Sequence, residues 1–224
     1  MGDTVLACSA GVRSGPATGD EETRGDEVEL LPLVFTSGWA SGVNAYATVL
    51  LLGLFGRFLG VEGIPAALER TDVLLAAAGL YALEFVADKI PYVDSGWDAV
   101  STAIRPTVGA ILGLLIAGHS GDLDQALSAT VAGTTALASH AVKTGLRFAV
   151  HTSPEPVSNV AVSLGEDLSV AGALALAVTW PWTAFTLVLG TLAGGGLLTL
   201  VLTRRVRRGY RRWRERRHQI LEQP

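Results

Sequence analysis

The chain has 224 residues, 49% hydrophobic and only 17% charged, with mean hydropathy +0.40. A soluble domain carries about 25% charged residues, so the composition points away from a water-soluble globule and toward a membrane protein. The net charge of −4 sums two tails of opposite sign, and a single cysteine, Cys8, excludes an intrachain disulfide framework or a cysteine metal site.

The N-terminal stretch comes first. Residues 1–29 hold Asp3, Asp20, Glu21, Glu22, Asp26, Glu27 and Glu29 against Arg13 and Arg24. No basic start precedes an apolar run, so no signal peptide is read there. Residues 1–34 read as an acidic, disordered leader. A membrane-embedded helical domain is expected over 35–203, and an arginine-rich cytoplasmic tail over 204–224.

Within the central domain, helices are predicted near 37–60, 71–89, 97–118, 123–149, 156–179 and 182–203, each near the ~17–25 residues that a crossing requires. Gly63 with Pro65, Pro91, Gly118 with Gly121, Pro154 with Pro156, and Pro181 separate them. Trp39, Trp97, Trp180 and Trp182 lie near the predicted ends, where an aromatic belt belongs. The fold class is therefore an all-α, polytopic membrane helix bundle of about six transmembrane helices. Cytoplasmic retention of the arginine tail, combined with an even number of crossings, places both termini in the cytoplasm of a cell whose plasma membrane holds the protein.

Five of these helices carry polar residues at helical spacing. Ser37, Ser41, Asn44 and Thr48 form the first set, and Tyr81, Glu84 and Asp88 the second. Asp98, Thr102 and Arg105 follow, then His140, Thr144 and Arg147, then Asn159, Ser163 and Glu166. Each set shares one helix face. An ionised side chain costs at least ~2.5–3.5 kcal/mol at mid-membrane, so these faces are expected to turn inward.

Particular residues carry particular expectations. Glu84 lies a turn deeper than Asp88. Arg105 precedes Pro106, which disfavours α geometry before it and predicts a kink. His140 reads either as a hydrogen-bonded core residue or as a proton relay, and Lys143 and Arg147 as positive-inside anchors. Glu166-Asp167, about ten residues inside the fifth helix, falls near the midplane and is either a cation or proton site or half of a structural ion pair with Arg105. Gly190 and Gly194 form a GxxxG pair suited to helix packing, including packing between subunits in a homo-oligomer. Arg204, Arg205, Arg207, Arg208, Arg211 and Arg212 belong to a run of nine arginines over 204–217, suited to anionic lipid headgroups at ~1 kcal/mol each near the surface. Nucleic acid is not an expected partner.

A threefold echo runs through the domain. Ala78-Gly79, Leu83 and Lys89 match Ala132-Gly133, Leu137 and Lys143, and Ala193-Gly194, Leu198 and Arg204 keep the same offsets. Ser37-Gly38-Trp39 recurs as Ser95-Gly96-Trp97. These echoes predict three tandem two-helix hairpins inserted in one sense, as internal repeats often are in transporters.

The runs Ser37–Gly53 (SGWASGVNAYATVLLLG), Leu83–Asp98 (LEFVADKIPYVDSGWD), Ile104–Ala110 (IRPTVGA), Gly133–Lys143 (GTTALASHAVK) and Thr152–Asp167 (TSPEPVSNVAVSLGED) resemble a family of prokaryotic membrane proteins known as domain of unknown function 4126. The resemblance covers about 35–180 and implies a multi-pass membrane protein. It implies no particular activity.

No P-loop, HExxH, GxSxG or paired CxxC occurs, so neither an enzyme nor a cofactor or metal is expected. The first functional reading is a channel or transporter for a small ion or polar solute. Its site would be lined by Asn44, Glu84, Arg105, His140, Asn159, Glu166 and Asp167. The second is a non-transporting scaffold held by interhelical ion pairs. The third is a lipid-handling protein.

Overall fold

The computed structural model describes residues 19–87, 93–118, 120–150 and 156–221. Asp88, Lys89 and Glu155 lie outside them, as do the side chains of Asp98, Asn159, Arg211 and Arg212. Seven helices follow in order: α1 Gly19–Val43, α2 Ala45–Leu59, α3 Thr71–Ala87, α4 Val93–Ala117, α5 Asp122–Val150, α6 Pro156–Thr179 and α7 Pro181–Leu221. The described residues contain no strand.

Small residues set which helices touch. A Cβ on Gly38 would come 2.5 Å from the carbonyl oxygen of Ala132, and one on Gly42 would collide with Ser139 and Ala136. Gly109 and Gly113 of α4 meet Ala136, Ala132 and Ser128 in the same way. Two GxxxG pairs, Gly38/Gly42 and Gly109/Gly113, thus clasp α5 from two sides, the use such pairs have in membrane helices. The pair singled out from sequence, Gly190/Gly194, meets nothing within 4 Å.

These contacts also fix direction. Residues 38 and 42 of α1 meet 132 and 136 of α5, so the two helices run parallel, whereas 109 and 113 of α4 meet 136 and 128, so α4 runs opposite. Phe35 packs against Phe185 with ring centroids 4.8 Å apart and planes tilted by 53°, and Gly195 and Gly145 meet Val142 and Thr199. Helix α7 therefore runs with α1 and α5.

The first predicted crossing, 37–60, is not one helix. Asn44 has extended backbone geometry (φ −150, ψ 103) and separates α1 from α2. The chain then turns back: Val61 and Gly63, just beyond α2, line the same cavity as Leu30 and Leu33 near the start of α1. Helices α3 to α7 then run alternately between the two ends of the bundle. The architecture is a hairpin entering from one end plus five helices, rather than six equivalent crossings. Three stretches, Ala99–Ala117, Val160–Thr179 and Pro181–Arg205, are long and apolar enough to cross a membrane, while Leu30–Val43 and Ala45–Leu59 are shorter apolar helices.

Because α1 and α7 are parallel, Gly19 and Leu221 lie at opposite ends of the bundle. Equal placement of both termini, expected from an even count, rested on reading the hairpin as a crossing. Helix α1 also takes in residues 19–34, the second half of the expected leader, and buries Pro32 and Val34 in the bundle.

Local chemistry explains the remaining boundaries. Gly60 caps α2 in the left-handed region (φ 60), where its amide reaches the Gly56 carbonyl. Arg57 ties the following loop by donating to the Glu69 carbonyl at 3.2 Å and to Thr71 Oγ1 at 2.8 Å. Helix α4 continues through Pro106, and the extended residue that interrupts a predicted helix is Asn44. Trp180 and Trp182 are exposed as a belt requires, whereas Trp39 is buried inside the bundle.

Burial is inverted relative to a soluble protein. Leu75, Leu168 and Leu197 are 69%, 73% and 64% exposed, whereas Arg105 and Glu84 are each 1% exposed. Charged residues are almost never fully buried in soluble proteins unless paired. Apolar flanks around a charged interior identify a membrane-type helical bundle.

Candidate functional site

The break at Asn44 organises the site. In an unbroken helix the Val43 carbonyl would accept from the Ala47 amide. Here that amide donates to Asn44 Oδ1 at 2.9 Å, a helix N-cap for α2. The Val43 carbonyl accepts instead from Lys143 Nζ at 2.8 Å, and the Gly42 carbonyl from Arg105 Nη1 at 3.5 Å. Two buried cations therefore cap the negative end of α1. Ser41 donates to the Arg105 carbonyl and Ser139 to that of Trp39, at 2.9 and 2.8 Å. Hydroxyls from neighbouring turns thus tie α1 to α4 and α5.

Arg105 is the hub of a first cluster. Its Nη2 donates to Glu84 Oε1 at 2.7 Å, and its Nη1 lies 2.8 Å from His140 Nδ1. A guanidinium only donates, so Nδ1 must accept and the His140 proton sits on Nε2. That nitrogen then donates to Thr102 Oγ1 at 3.0 Å. His140 is thereby a neutral, hydrogen-bonded residue that orients the guanidinium.

A second cluster lies between α5 and α6. Lys143 Nζ is 3.0 Å from Glu166 Oε2, and Arg147 holds both oxygens of Glu166, Nη2 to Oε2 at 2.6 Å and Nε to Oε1 at 3.2 Å. Lys143 and Arg147 are buried, so surface anchoring is not their role; Thr144, placed on their face by spacing, is exposed. Arg105 thus pairs with Glu84 of α3, and Glu166 of α6 is held by Lys143 and Arg147 of α5.

Asp167 forms the third group. Its Oδ1 accepts from Asn44 Nδ2 at 3.1 Å, which sets an acid beside the positive end of α2. Tyr81 of α3 lies next to it. Asp167 stands in the middle of α6, about 17 Å from either helix end at 1.5 Å per residue. It borders a cavity of about 280 Å³ lined by Ala47, Leu50, Tyr81, Phe85, Leu164 and Leu168, among others.

The family described as Domain of unknown function (DUF4126) matches residues 31–201. The chain belongs to the DUF4126 family. No curated protein and no solved structure matches it. The DUF4126 match begins one residue into the apolar part of α1 and ends within the apolar part of α7, so it contains all three clusters and leaves out the acidic and arginine-rich extensions.

In this DUF4126 chain six of the seven residues expected at the site, Asn44, Glu84, Arg105, His140, Glu166 and Asp167, gather around the tip of the α1–α2 hairpin; Asn159 falls outside the described side chains. Sequence reasoning set Tyr81 and Arg147 on inward faces but left them and Lys143 out of the site, and it gave no place to the carbonyls of Gly42 and Val43. Lys143 was in view as the end of the repeated Ala-Gly…Leu…Lys pattern. The carbonyls gave no signal, because any residue has one. Arg204, Arg205, Arg207 and Arg208 are exposed on α7. No three described His, Cys, Asp or Glu side chains come together as a metal would require.

Proposed function

We propose that this chain is an integral membrane protein that carries a small cation or polar solute across the bilayer, with Asp167 as its acidic site. One observation carries the reading: a helix interrupted inside the bundle, its negative end on Arg105 and Lys143 and its positive end facing Asp167. Broken helices at membrane depth are tolerated where they meet protein or a water-filled cavity. In secondary transporters such half-helix ends form the substrate and ion sites near mid-membrane. The Glu84–Arg105 and Glu166–Arg147 pairs serve as locks that hold the hairpin, the part of the scaffold reading that closed pairs favour.

The arginine end of α7 faces the cytoplasm of a cell membrane, where it meets anionic headgroups, and the acidic end of α1 faces the other side. The repeating unit is the pair α2–α3, α4–α5 and α6–α7, all inserted in one direction. The equivalent Leu83, Leu137 and Leu198 are 53%, 48% and 49% exposed, which supports the repeat. The open face at Gly190 and Gly194 suits a second copy of the chain. No enzymatic step is assigned.

Flux of alkali cations, protons and small amines into vesicles containing the purified protein tests the reading. Asp167→Asn should lower flux at least about tenfold while the protein remains folded in detergent. Flux equal to that of protein-free vesicles, or an Asp167→Asn variant as active as the parent, would overturn it.

A further inference from the structure

We infer that the Asp167 cavity takes a small organic ammonium ion, in preference to an inorganic cation, and that it admits this ligand from the flank of the bundle. This rests on the reading of Asp167 as the acidic site and adds the chemistry of its ligand.

The donor set decides between the two kinds of cation. An inorganic ion stripped of water needs a shell of oxygen ligands, six or more for calcium and an octahedron for magnesium. Among the described residues, the polar side chains that line the cavity are the Asp167 carboxylate and the Tyr81 phenol. Asn44 does not add an oxygen: its Oδ1 accepts from the Ala47 amide, and it is Nδ2, a donor, that faces Asp167. The rest of the wall is hydrocarbon and aromatic, from Ala47, Leu50, Leu51, Leu164, Leu168 and Ala171 with Phe85. An ammonium ion suits such a wall because it carries its own apolar substituents and needs few oxygens.

The rings supply the second half of the argument. Tyr81 and Phe85 are one helical turn apart on α3, with centroids 5.9 Å apart and planes tilted by 50°. Two tilted faces beside one carboxylate are the components of an ammonium cage, in which ring quadrupoles attract the cation and the acid supplies its counter-charge. A mostly apolar cavity with few orienting polar groups is also the usual form of a small-molecule site.

The position of the mouth follows from exposure. Leu164 and Leu168 both line the cavity and lie exposed on the outer face of α6. The opening is therefore toward the side of the bundle, where acyl chains would lie, and an amine with an apolar substituent partitions to that region.

The test uses the full chain, purified in detergent. Benzyltrimethylammonium chloride is titrated calorimetrically against sodium chloride at equal ionic strength. Saturable binding of benzyltrimethylammonium is expected, falling at least tenfold in Asp167→Asn and about threefold in Phe85→Leu. Leu168→Trp, an exposed position that leaves both ion-pair clusters untouched, should block the mouth and abolish binding even if Asp167→Asn folds poorly. Absence of saturable binding, or binding that Leu168→Trp and Asp167→Asn leave unchanged, overturns the inference. Asp167-dependent flux of sodium or protons without ammonium binding overturns it too and leaves the transport reading standing. Ammonium binding with no flux of any solute upholds the site and overturns transport.

Discussion

Replacing Arg105 and Glu84 singly and together tests how the buried lock holds the hairpin. Both side chains are 1% exposed, their atoms are 2.7 Å apart, and Arg105 also reaches His140 and the Gly42 carbonyl. Removing one partner of a buried pair leaves the other uncompensated and costs about 3–5 kcal/mol, whereas replacing both by apolar groups is often neutral. A neutral hydrogen bond between membrane helices averages only about 0.6 kcal/mol, so the charged pair dominates. Arg105→Met and Glu84→Leu should each lower the midpoint of thermal unfolding in detergent by on the order of 10 °C. Glu84→Leu should be the worse of the two, because a lone carboxyl can take up a proton and become neutral while a guanidinium cannot shed one. The Glu84→Leu/Arg105→Met double variant should be more stable than either single variant. A double variant whose loss equals the sum of the single losses would refute the lock, since residues that do not interact combine additively.

Other outcomes follow from the same geometry. Gly42→Leu should abolish folding, because its Cβ would collide with Ser139 and Ala136, whereas Gly194→Leu should leave the monomer's melting temperature within about 2 °C; size-exclusion chromatography with thermal melts checks both. Lys143→Met strips the Val43 carbonyl of its donor and should cost about 1–3 kcal/mol, with increased proteolysis near Asn44 as the local readout. In a Cys8→Ser background, cysteines placed singly at Asp20 and Arg205 should react with a membrane-impermeant maleimide from opposite sides of sealed vesicles. Reaction of both from one side would contradict the parallel course of α1 and α7.

Much of the interior was legible because its cause is local. Ser41, Asn44, Glu84, Arg105 and Ser163 repeat at helical spacing inside apolar runs, and all are buried. The cost of exposing them to hydrocarbon leaves little choice. The pairing was not legible, because spacing within one helix does not say which neighbour faces it. Glu84 and Glu166 both sit on inward faces, and only the packing of whole helices decides that Arg105 meets the first. The break was hidden for a related reason. Val43-Asn44-Ala45 contains no glycine or proline, and what lets the helix end there is the supply of donors from Lys143 and Arg105, which stand 99 and 61 residues further along the chain. Asn44 itself was the one clue, since asparagine favours the first cap of a helix over its interior. The three GxxxG pairs look alike as strings, and only position in the bundle distinguishes two that bind helices from one that faces outward.

A segment that comes in and goes out through the same side is tethered there alone. The α1–α2 tip is placed from within the bundle, and neither of its flanking loops crosses to the far side, unlike those of an ordinary spanning helix. Inside the bundle it is held by the Gly38/Gly42 clasp on α5, by Ser41 and Ser139, and by polar contacts from Lys143, Arg105 and Asp167. Any solute that competes for one of the polar contacts would therefore act directly on the break at Asn44.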